Sequence, residues 1–370
     1  MTSPIILLSG VYPPASGGPA IFTERFHKWL KSNGLDSTVI TYSNSFFNRE
    51  HDSVIAIASI KPKLLKFVKL VFQVIRNSER DSIILANGCF LEVLTINLIA
   101  RRRYILKVPG DPLWERARNI GWTNSSIEHF QHEKLKFRHS ILRFLFNRAI
   151  CRATFVIAPS SQLAQFSRKW GAEEKKIKLI YNCVDSNVFY KGTSDLPSID
   201  ILTVCRLVPW KGLAEVISVA ARFKLRLTII GDGPILQELR ELAIRSQANV
   251  DFVGNIANQD VASYLKRTRL FVLNSEFEAT AYSLIEAKMA GIPVIARNSA
   301  GSTEVINDGI DGILYNSDEI GGLENAISRL GNDSLTADAF SLKAREDALE
   351  RFNQDINFLQ ILDLIRGKHD

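Results

Sequence analysis

Cysteine is scarce in this sequence, which contains only four in 370 residues: Cys89, Cys151, Cys183 and Cys205. They are far apart and form no CxxC pair, so the pattern argues against a zinc cluster and a disulfide framework. A reducing compartment fits best, and we expect a cytoplasmic protein. The sequence also lacks an Asp-x-Asp motif, so we expect no catalytic metal.

Long apolar runs are equally rare. Residues 83–100 come closest to a membrane span, but the turn signal Asn87-Gly88 interrupts them and Glu92 would be costly in lipid. We therefore interpret this stretch as a buried strand, a turn and a helix.

What is present is the composition of an ordinary globular protein, with 46% hydrophobic and 23% charged residues. The length favours two domains. The net charge of +7 is unevenly distributed, because residues 1–195 hold 28 Lys and Arg against 15 Asp and Glu, whereas the remainder holds 18 against 24. The basic half should be attracted to a polyanion or an anionic membrane.

Short β-branched and aliphatic runs alternate with helical patterns along the chain, and this pattern restarts after the polar residues 191–198. Alternation of this kind predicts an α/β fold with two doubly wound, Rossmann-like parallel sheets. We expect an N-terminal domain at 1–190, a C-terminal domain at 196–345 and a C-terminal helix at 346–370 that either caps its own domain or crosses back to the first. Ligands of such sheets bind at the strand C-termini, so we expect the site in a cleft where the two domains face one another. The strands are predicted at residues 5–8, 37–42, 53–58, 82–86, 104–108, 154–158, 178–180, 200–204, 226–230, 250–253, 270–273, 293–296 and 312–315.

The segment 274–294 carries the most informative motif. Glu278 follows a strand within a polar loop, and Glu286 comes eight positions later in the first turns of a helix that begins near Ser283. Two carboxylates beside helix N-terminal amides suit a ligand that is rich in hydroxyl groups and carries phosphate.

With this segment the chain resembles glycosyltransferase family 4, the retaining enzymes of GT-B fold also described as glycosyl transferases group 1. The family signature is a glutamate pair separated by seven residues, followed by a Gly-x-Pro-Val strand entry, and Glu278, Glu286 and Gly291-Ile-Pro-Val294 match it. The resemblance implies that Glu286 holds the ribose of a nucleotide donor. It places Glu278 near the donor sugar.

Further motifs of the family follow in order. Residues 203–212 resemble its GRLxxxKG element, in which Arg206 and Lys211 would neutralise the donor diphosphate as its bond to the sugar breaks. Weaker matches occur at 158–161, 180–185 and 300–304. The glycines of Gly231-Asp-Gly233 lack the third glycine of a dinucleotide fingerprint, so we interpret them as a structural turn.

The sequence departs from the family in two places. Ala279, Thr280 and Ala281 stand where glycines are common, and Cys205 stands where glycine is frequent. The donor preference is therefore left open. By the resemblance, donor contacts also fall on Ala281, Tyr282 and Ser283 at the start of the helix.

Two candidates lie in the first domain. Asp111 follows a strand at the position where the family places a His or Asp near the reacting sugar carbon, and an Asp-Pro turn explains it equally well. Gly17 and Gly18, just before the first helix, match the glycine-rich loop that faces the donor diphosphate in the family.

The residues from Lys61 to Arg80 predict an amphipathic helix whose apolar face carries Leu64, Val68, Val71, Phe72 and Ile75. Such a helix suits either an anionic bilayer or an ordinary Rossmann layer. Because aromatic residues do not interleave the basic ones, we expect no nucleic-acid partner.

These expectations combine into a retaining hexosyltransferase. It would move a sugar from a UDP- or GDP-sugar to a hydroxyl of a glycan or lipid-linked acceptor with α-linkage, in polysaccharide, lipopolysaccharide or glycolipid precursor assembly. It would work in the cytoplasm, either free or as a peripheral protein at the inner face of the plasma membrane. Two alternatives remain at this point: a GT-B nucleotide-sugar epimerase, and a non-catalytic sugar-nucleotide-binding partner in an assembly complex.

Overall fold

A computed structural model of the chain describes residues 5–15, 17–43, 53–58, 62–190, 192 and 198–367. Lys61, the first residue of the predicted amphipathic helix, lies outside these ranges, as do most residues of the predicted linker 191–198 and the last three residues of the chain.

The chain divides into two compact units. Unit 1 comprises residues 1–180 together with 358–370, and unit 2 comprises residues 181–357. The division at residue 180 precedes the border that the sequence pattern suggests near residue 195. Segment 181–190 belongs with unit 2 because the backbone of Val184 exchanges hydrogen bonds with Phe352 and Gln354.

Unit 1 contains a seven-stranded parallel sheet in the order β3-β2-β1-β4-β5-β6-β7. Its strands are β1 Ile5–Ser9, β2 Ser37–Tyr42, β3 Val54–Ile57, β4 Ile83–Asn87, β5 Arg103–Lys107, β6 Phe155–Ala158 and β7 Ile177–Leu179. The chain order reverses between β1 and β4, which are hydrogen-bonded neighbours.

Helices connect these strands in the described part of residues 1–180. They are α1 Gly18–Ser32, α2 Lys63–Asn77, α3 Phe90–Ala100, α4 Pro112–Asn119, α5 Ile127–Phe130, α6 Phe137–Arg152 and α7 Ser161–Lys169. Several have side-chain N-caps, which satisfy amides that the first turn leaves without a helical acceptor. Ser160, for example, accepts from the Leu163 amide at 3.2 Å.

Unit 2 contains a six-stranded parallel sheet in the order β10-β9-β8-β11-β12-β13. Its strands are β8 Ile199–Val204, β9 Leu227–Ile230, β10 Val250–Gly254, β11 Thr268–Leu273, β12 Val294–Arg297 and β13 Ile313–Tyr315. Its helices are α8 Leu213–Arg222, α9 Leu236–Arg245, α10 Asn258–Leu265, α11 Tyr282–Met289, α12 Ala300–Thr303, α13 Gly322–Asn332 and α14 Ser334–Arg351.

The C-terminal helical pattern is broken in the structure. Helix α14 ends at Arg351, and α15 (Gln354–Arg366) begins after a short bridge in which Asn353 pairs with Val184. From Phe358 onward α15 belongs to unit 1, where the Phe358 ring packs edge-on against Phe26 with ring centroids 4.9 Å apart.

All thirteen predicted strands are present, and the two doubly wound parallel sheets confirm the predicted fold class. Residues 83–100 form β4, a turn and α3, as their sequence indicates. Within the described ranges, no helix has both the length and the apolar character that crossing a bilayer requires.

Candidate functional site

The candidate site of unit 2 lies at the C-terminal ends of β8 and β11. Strand β8 pairs with β9 on one side and β11 on the other, so the connections after β8 and after β11 leave in opposite directions. A crevice at such a switch point is where open α/β sheets bind ligands. Arg206 and Lys211 follow β8, and Glu278 and Glu286 follow β11.

The loop after β8 is packed tightly against the turn after β9. A Cβ atom on Gly231 would stand 1.9 Å from the Cys205 carbonyl oxygen, and one on Gly233 would stand 2.1 Å from that of Leu207. The Leu207 amide also donates to the Asp232 carbonyl at 3.0 Å. These contacts confirm that Gly231-Asp-Gly233 is a structural turn, and they fix the loop that carries Arg206.

Lys211 is positioned by a buried polar network that our sequence reasoning missed. It ends a 3₁₀ turn, Pro209–Lys211, before Gly212, which has a φ of 61°. The Asn274 side chain at the end of β11 donates to the Gly212 carbonyl at 2.9 Å and to Glu215 at 2.8 Å, and it accepts from the Tyr315 hydroxyl. Burial, with a contribution from Glu215, raises the pKa of Tyr315 well above its ordinary value.

Lys211 and Glu278 form an ion pair across the switch point, from the Lys211 ammonium to Oε1 of Glu278. Their side chains are only 12% and 17% exposed. Arg206, in contrast, is exposed, and its guanidinium makes no ion pair or hydrogen bond with any residue that the structure describes. Burial raises the pKa of the neighbouring Cys205 thiol to about 11, an effect that Lys211 opposes and Glu278 reinforces.

The loop that carries Glu278 is held from several sides. A Cβ atom on Gly301 would stand 2.1 Å from the Glu278 carbonyl oxygen. Asn182 donates to the Thr280 carbonyl at 2.9 Å, and the Glu276 amide donates to the Trp210 carbonyl at 2.9 Å. Gly301 therefore allows the start of α12 to pack directly against the Glu278 backbone.

Helix α11 begins at the predicted place, with Ala281 as its N-cap and Tyr282 and Ser283 in its first turn. Helix geometry directs the first-turn amides out of this end, where the macrodipole favours an anion. Glu286 is buried, and its Oε1 accepts from Asn258 at 3.0 Å. Its predicted contact with a ribose stays a prediction.

A buried lysine in α11 carries no signal in the local sequence. Lys288 is fully buried, and its ammonium donates to Asp311 at 2.9 Å, Asp347 at 2.6 Å and the Val305 carbonyl at 2.6 Å. Both acidic partners are far away in the chain, so spacing within the motif cannot reveal them. The triad ties α11 to α14 below the site.

Asp111 in unit 1 is buried and fully engaged. Its Oδ1 caps α4 by accepting from the Leu113 amide at 3.0 Å, and its Oδ2 accepts from Gln131 at 2.9 Å and Arg143 at 2.7 Å. The Asx cap, which the sequence already offered as an explanation, accounts for these contacts. They do not favour a catalytic role, which stays a prediction.

The glycine-rich loop of unit 1 follows β1, beside the β1/β4 switch point. Gly17 is the N-cap of α1 with a φ of 127°, a conformation that disfavours side chains, and Gly18 is the first helical residue. Asn87, at the end of β4, donates to the Pro19 carbonyl at 2.9 Å. The loop is thus anchored at its switch point, and its contact with a diphosphate stays a prediction.

Two family profiles match consecutive parts of the chain. Residues 16–188 match the description Glycosyltransferase Family 4, and residues 187–347 match Glycosyl transferases group 1.

Among curated relatives, a 2-deoxystreptamine N-acetyl-D-glucosaminyltransferase of Niallia circulans is 28% identical over 53% of this chain and 55% of its own length. A GDP-mannose-dependent alpha-(1-6)-phosphatidylinositol monomannoside mannosyltransferase of Mycobacterium tuberculosis is 26% identical over 45% of this chain and 47% of its own. The chain therefore spans about half the length of these curated relatives.

A solved structure with the same fold is that of Anabaena HepE in complex with UDP-glucose. It has a TM-score of 0.80 and 21% identity, and the alignment covers 98% of this chain and all of that one. This likeness confirms the GT-B fold. Since the two family matches together extend from residue 16 to residue 347, the chain belongs to glycosyltransferase family 4, the group 1 glycosyl transferases.

Proposed function

We propose that this protein transfers a sugar from a nucleotide-diphosphate donor to an acceptor hydroxyl, with unit 2 binding the donor. The observation that carries the proposal is the Lys211–Glu278 ion pair at the switch point of unit 2, with the guanidinium of Arg206 on the same β8 loop. A cation beside a carboxylate at this edge suits a ligand whose diphosphate adjoins a hydroxyl-rich sugar.

Each charged residue of the site has its own role in the proposed reaction. Breaking the bond between the sugar carbon and the diphosphate builds negative charge on the leaving oxygens, which Lys211 and Arg206 stabilise. The acceptor oxygen bonds to the same carbon, and its proton passes to the leaving diphosphate. Glu278 orients the sugar hydroxyls and Glu286 holds the ribose. In the family these steps take place on one face of the sugar, so we expect retention and an α-linkage.

The names of similar proteins support a choice of two donors. HepE was solved with UDP-glucose, and the mycobacterial relative is GDP-mannose-dependent. We therefore expect a UDP- or GDP-sugar. The basic first half of the chain suits a glycan or lipid-linked acceptor in polysaccharide, lipopolysaccharide or glycolipid precursor assembly at the inner membrane face.

A thermal-shift screen with UDP-, GDP- and ADP-sugars tests donor binding, because a ligand that binds only the folded state raises the melting temperature. We expect one nucleotide class to shift the protein, and we expect Lys211→Ala to reduce the shift. Lys343→Ala is a matched control, since that lysine forms an exposed ion pair with Glu346 in the same unit. A protein that responds to none of the sugars would overturn the donor assignment.

Transfer itself is tested by following release of the nucleoside diphosphate with and without acceptor. Release that requires an acceptor and persists in EDTA is the expected result. Formation of an altered free nucleotide sugar without acceptor would indicate an epimerase, and donor binding without any turnover would indicate a non-catalytic partner.

A further inference from the structure

Three helices of unit 1 lie side by side, with α3 packed between α2 and α6. We call their outward side the three-helix face. Large apolar side chains stand exposed on each helix of this face, among them Phe72 of α2, Ile99 of α3 and Phe144 of α6. A patch of this kind on one side of a domain indicates an interaction surface.

Helix α2 shows the feature most clearly. Leu70, Val71 and Val74 pack into the core, whereas Leu64 and Phe72 are 71% and 58% exposed. An ordinary Rossmann helix turns its apolar stripe toward the sheet and presents a polar side to water. Here the helix carries one apolar stripe inward and a second one outward.

The other two helices repeat this arrangement. On α3 the exposed positions near its end are Leu98 and Ile99, with Ile99 at 70% exposure. On α6 Phe137, Ile141 and Phe144 recur at helical spacing along the exposed side. Each contributes apolar area that water surrounds in the free protein, so covering the face releases that water.

The charge of the same helices limits what can cover them. Together α2, α3 and α6 contain eight Lys or Arg residues, of which Arg143 pairs with the buried Asp111, and a single acidic residue, Glu92. Arg101 and Arg103 follow α3, as Glu79 and Asp81 follow α2, so the cations remain in excess. A second copy of the chain docked on the same face would bring like charges together, which opposes association. An anionic bilayer supplies both negative headgroups and apolar chains.

We propose that the three-helix face docks on an anionic lipid bilayer, with Phe72, Ile99 and Phe144 entering the acyl boundary and the surrounding cations contacting lipid phosphates. One consequence of docking, that the acceptor is lipid-linked and reaches the enzyme in the membrane plane, rests on the proposed glycosyl transfer. Docking itself is inferred only from the exposed apolar side chains and the positive charge of the three-helix face. It extends the membrane contact predicted for α2 to two further helices.

Vesicle co-sedimentation tests the proposal on the full-length protein. Vesicles of phosphatidylcholine alone are compared with vesicles that also contain phosphatidylglycerol, at low and high salt. We expect binding to the anionic vesicles, weakened by salt because headgroup attraction is screened. The double variant Phe72→Glu/Ile99→Glu should lower the partition coefficient about tenfold or more, since it removes apolar insertion and adds repulsion.

Leu335→Glu is the matched control, because Leu335 is 82% exposed but lies on α14 of unit 2. It should bind vesicles like the unmodified protein. Donor-induced thermal shifts are measured on every variant. Unchanged shifts with lost vesicle binding support docking through this face.

Two results would overturn the inference. One is the absence of any preference for phosphatidylglycerol, and the other is equal vesicle binding by the double variant. If light scattering shows a lipid-free dimer that the double variant disrupts, and vesicles are not bound, the face is a subunit interface instead. If the protein binds the donor but not the vesicles, membrane docking is rejected and the proposed transfer is not. If it binds the vesicles but not the donor, the proposed transfer is rejected and docking is not.

Discussion

Replacing Glu278 by Gln should strengthen the binding of a nucleoside diphosphate and weaken sugar transfer. In the free protein the Glu278 carboxylate contacts the Lys211 ammonium. A diphosphate oxygen that contacts the same ammonium would come to about 4 to 5 Å from this carboxylate. Two like charges at that separation repel by about 3 to 4 kcal/mol at an effective dielectric constant near 20.

The repulsion is partly screened, since the two side chains retain 12% and 17% exposure. We therefore expect Glu278→Gln to improve diphosphate binding by about 1 to 2 kcal/mol, or about 5- to 30-fold in Kd. Transfer should fall about 100-fold, because Gln keeps the shape but loses the charge that orients the sugar.

Isothermal titration calorimetry with UDP and GDP measures the first effect, and release of the nucleoside diphosphate from the sugar donor measures the second. Glu276→Gln is the control, because that carboxylate lies in the same loop but pairs with Arg297 at 4.0 Å. Diphosphate binding that is unchanged or weaker in Glu278→Gln would refute the idea that Lys211 is shared between the carboxylate and the diphosphate.

Three further predictions concern packing and titration. Gly231→Ala should lower the free energy of unfolding by about 3 kcal/mol or more in urea titrations, because the added Cβ would stand 1.9 Å from a carbonyl oxygen at a residue with a φ of 132°. The control Gly331→Ala, whose added Cβ would have no atom within 4 Å, should stabilise helix α13 by about 0.5 to 1 kcal/mol. Equal effects of the two substitutions would contradict this packing. Lys288→Met should cost about 3 to 5 kcal/mol because it leaves the buried Asp311 carboxylate without a cation, although Asp347 keeps its ion pair with Arg351. Lys343→Met, from an exposed ion pair, should change the melting temperature little. Similar melting temperatures for the two variants would contradict this prediction. Burial raises the pKa of the Cys205 thiol to about 11, so a smaller fraction of it is thiolate at pH 8 than of an ordinary thiol. Iodoacetamide should therefore label Cys205 about 100-fold more slowly in the folded than in the unfolded protein, as measured by peptide mass spectrometry, and the rate should still rise between pH 9 and 11. Rapid labelling of the folded protein at pH 8 would contradict the raised pKa.

The strands were predictable from sequence because they are short β-branched and aliphatic runs bounded by turn residues. Most of them are also buried, with the edge strands β7 and β10 as exceptions. Strand β2 occupies the predicted residues, and even the ambiguous stretch 83–100 resolved correctly into β4 and α3. Local chemistry was enough in these cases.

Positions that depend on distant partners were not predictable. The apolar pattern of α2 grouped Val71 with Phe72, but only tertiary packing decides that Val71 is buried and Phe72 exposed. The sequence pattern indicated one C-terminal helix at 346–370, yet the pairing of Val184 with the chain at Phe352 and Gln354 interrupts it.

The sequence indicated the charged residues of the candidate site but not the residues that hold them in place. The spacing of Glu278 and Glu286 and the family resemblance pointed to the loops after β8 and β11, which the structure joins through the Lys211–Glu278 ion pair. Asn274, which holds the Gly212 carbonyl beside Lys211, has no signal in sequence because its partners are about 60 positions away. For Asp111 the sequence offered both an Asx turn and a catalytic role. The structure shows the Asx cap, and the catalytic role stays a prediction.

We propose that the β8/β11 switch point of unit 2 binds the diphosphate of a sugar nucleotide. The most direct test is a crystal structure of the protein with the nucleotide sugar selected by the thermal-shift screen. We expect diphosphate oxygens within hydrogen-bond distance of Lys211 and Arg206, and the ribose hydroxyls at Glu286. A nucleotide bound elsewhere, with the Lys211–Glu278 ion pair untouched, would contradict it.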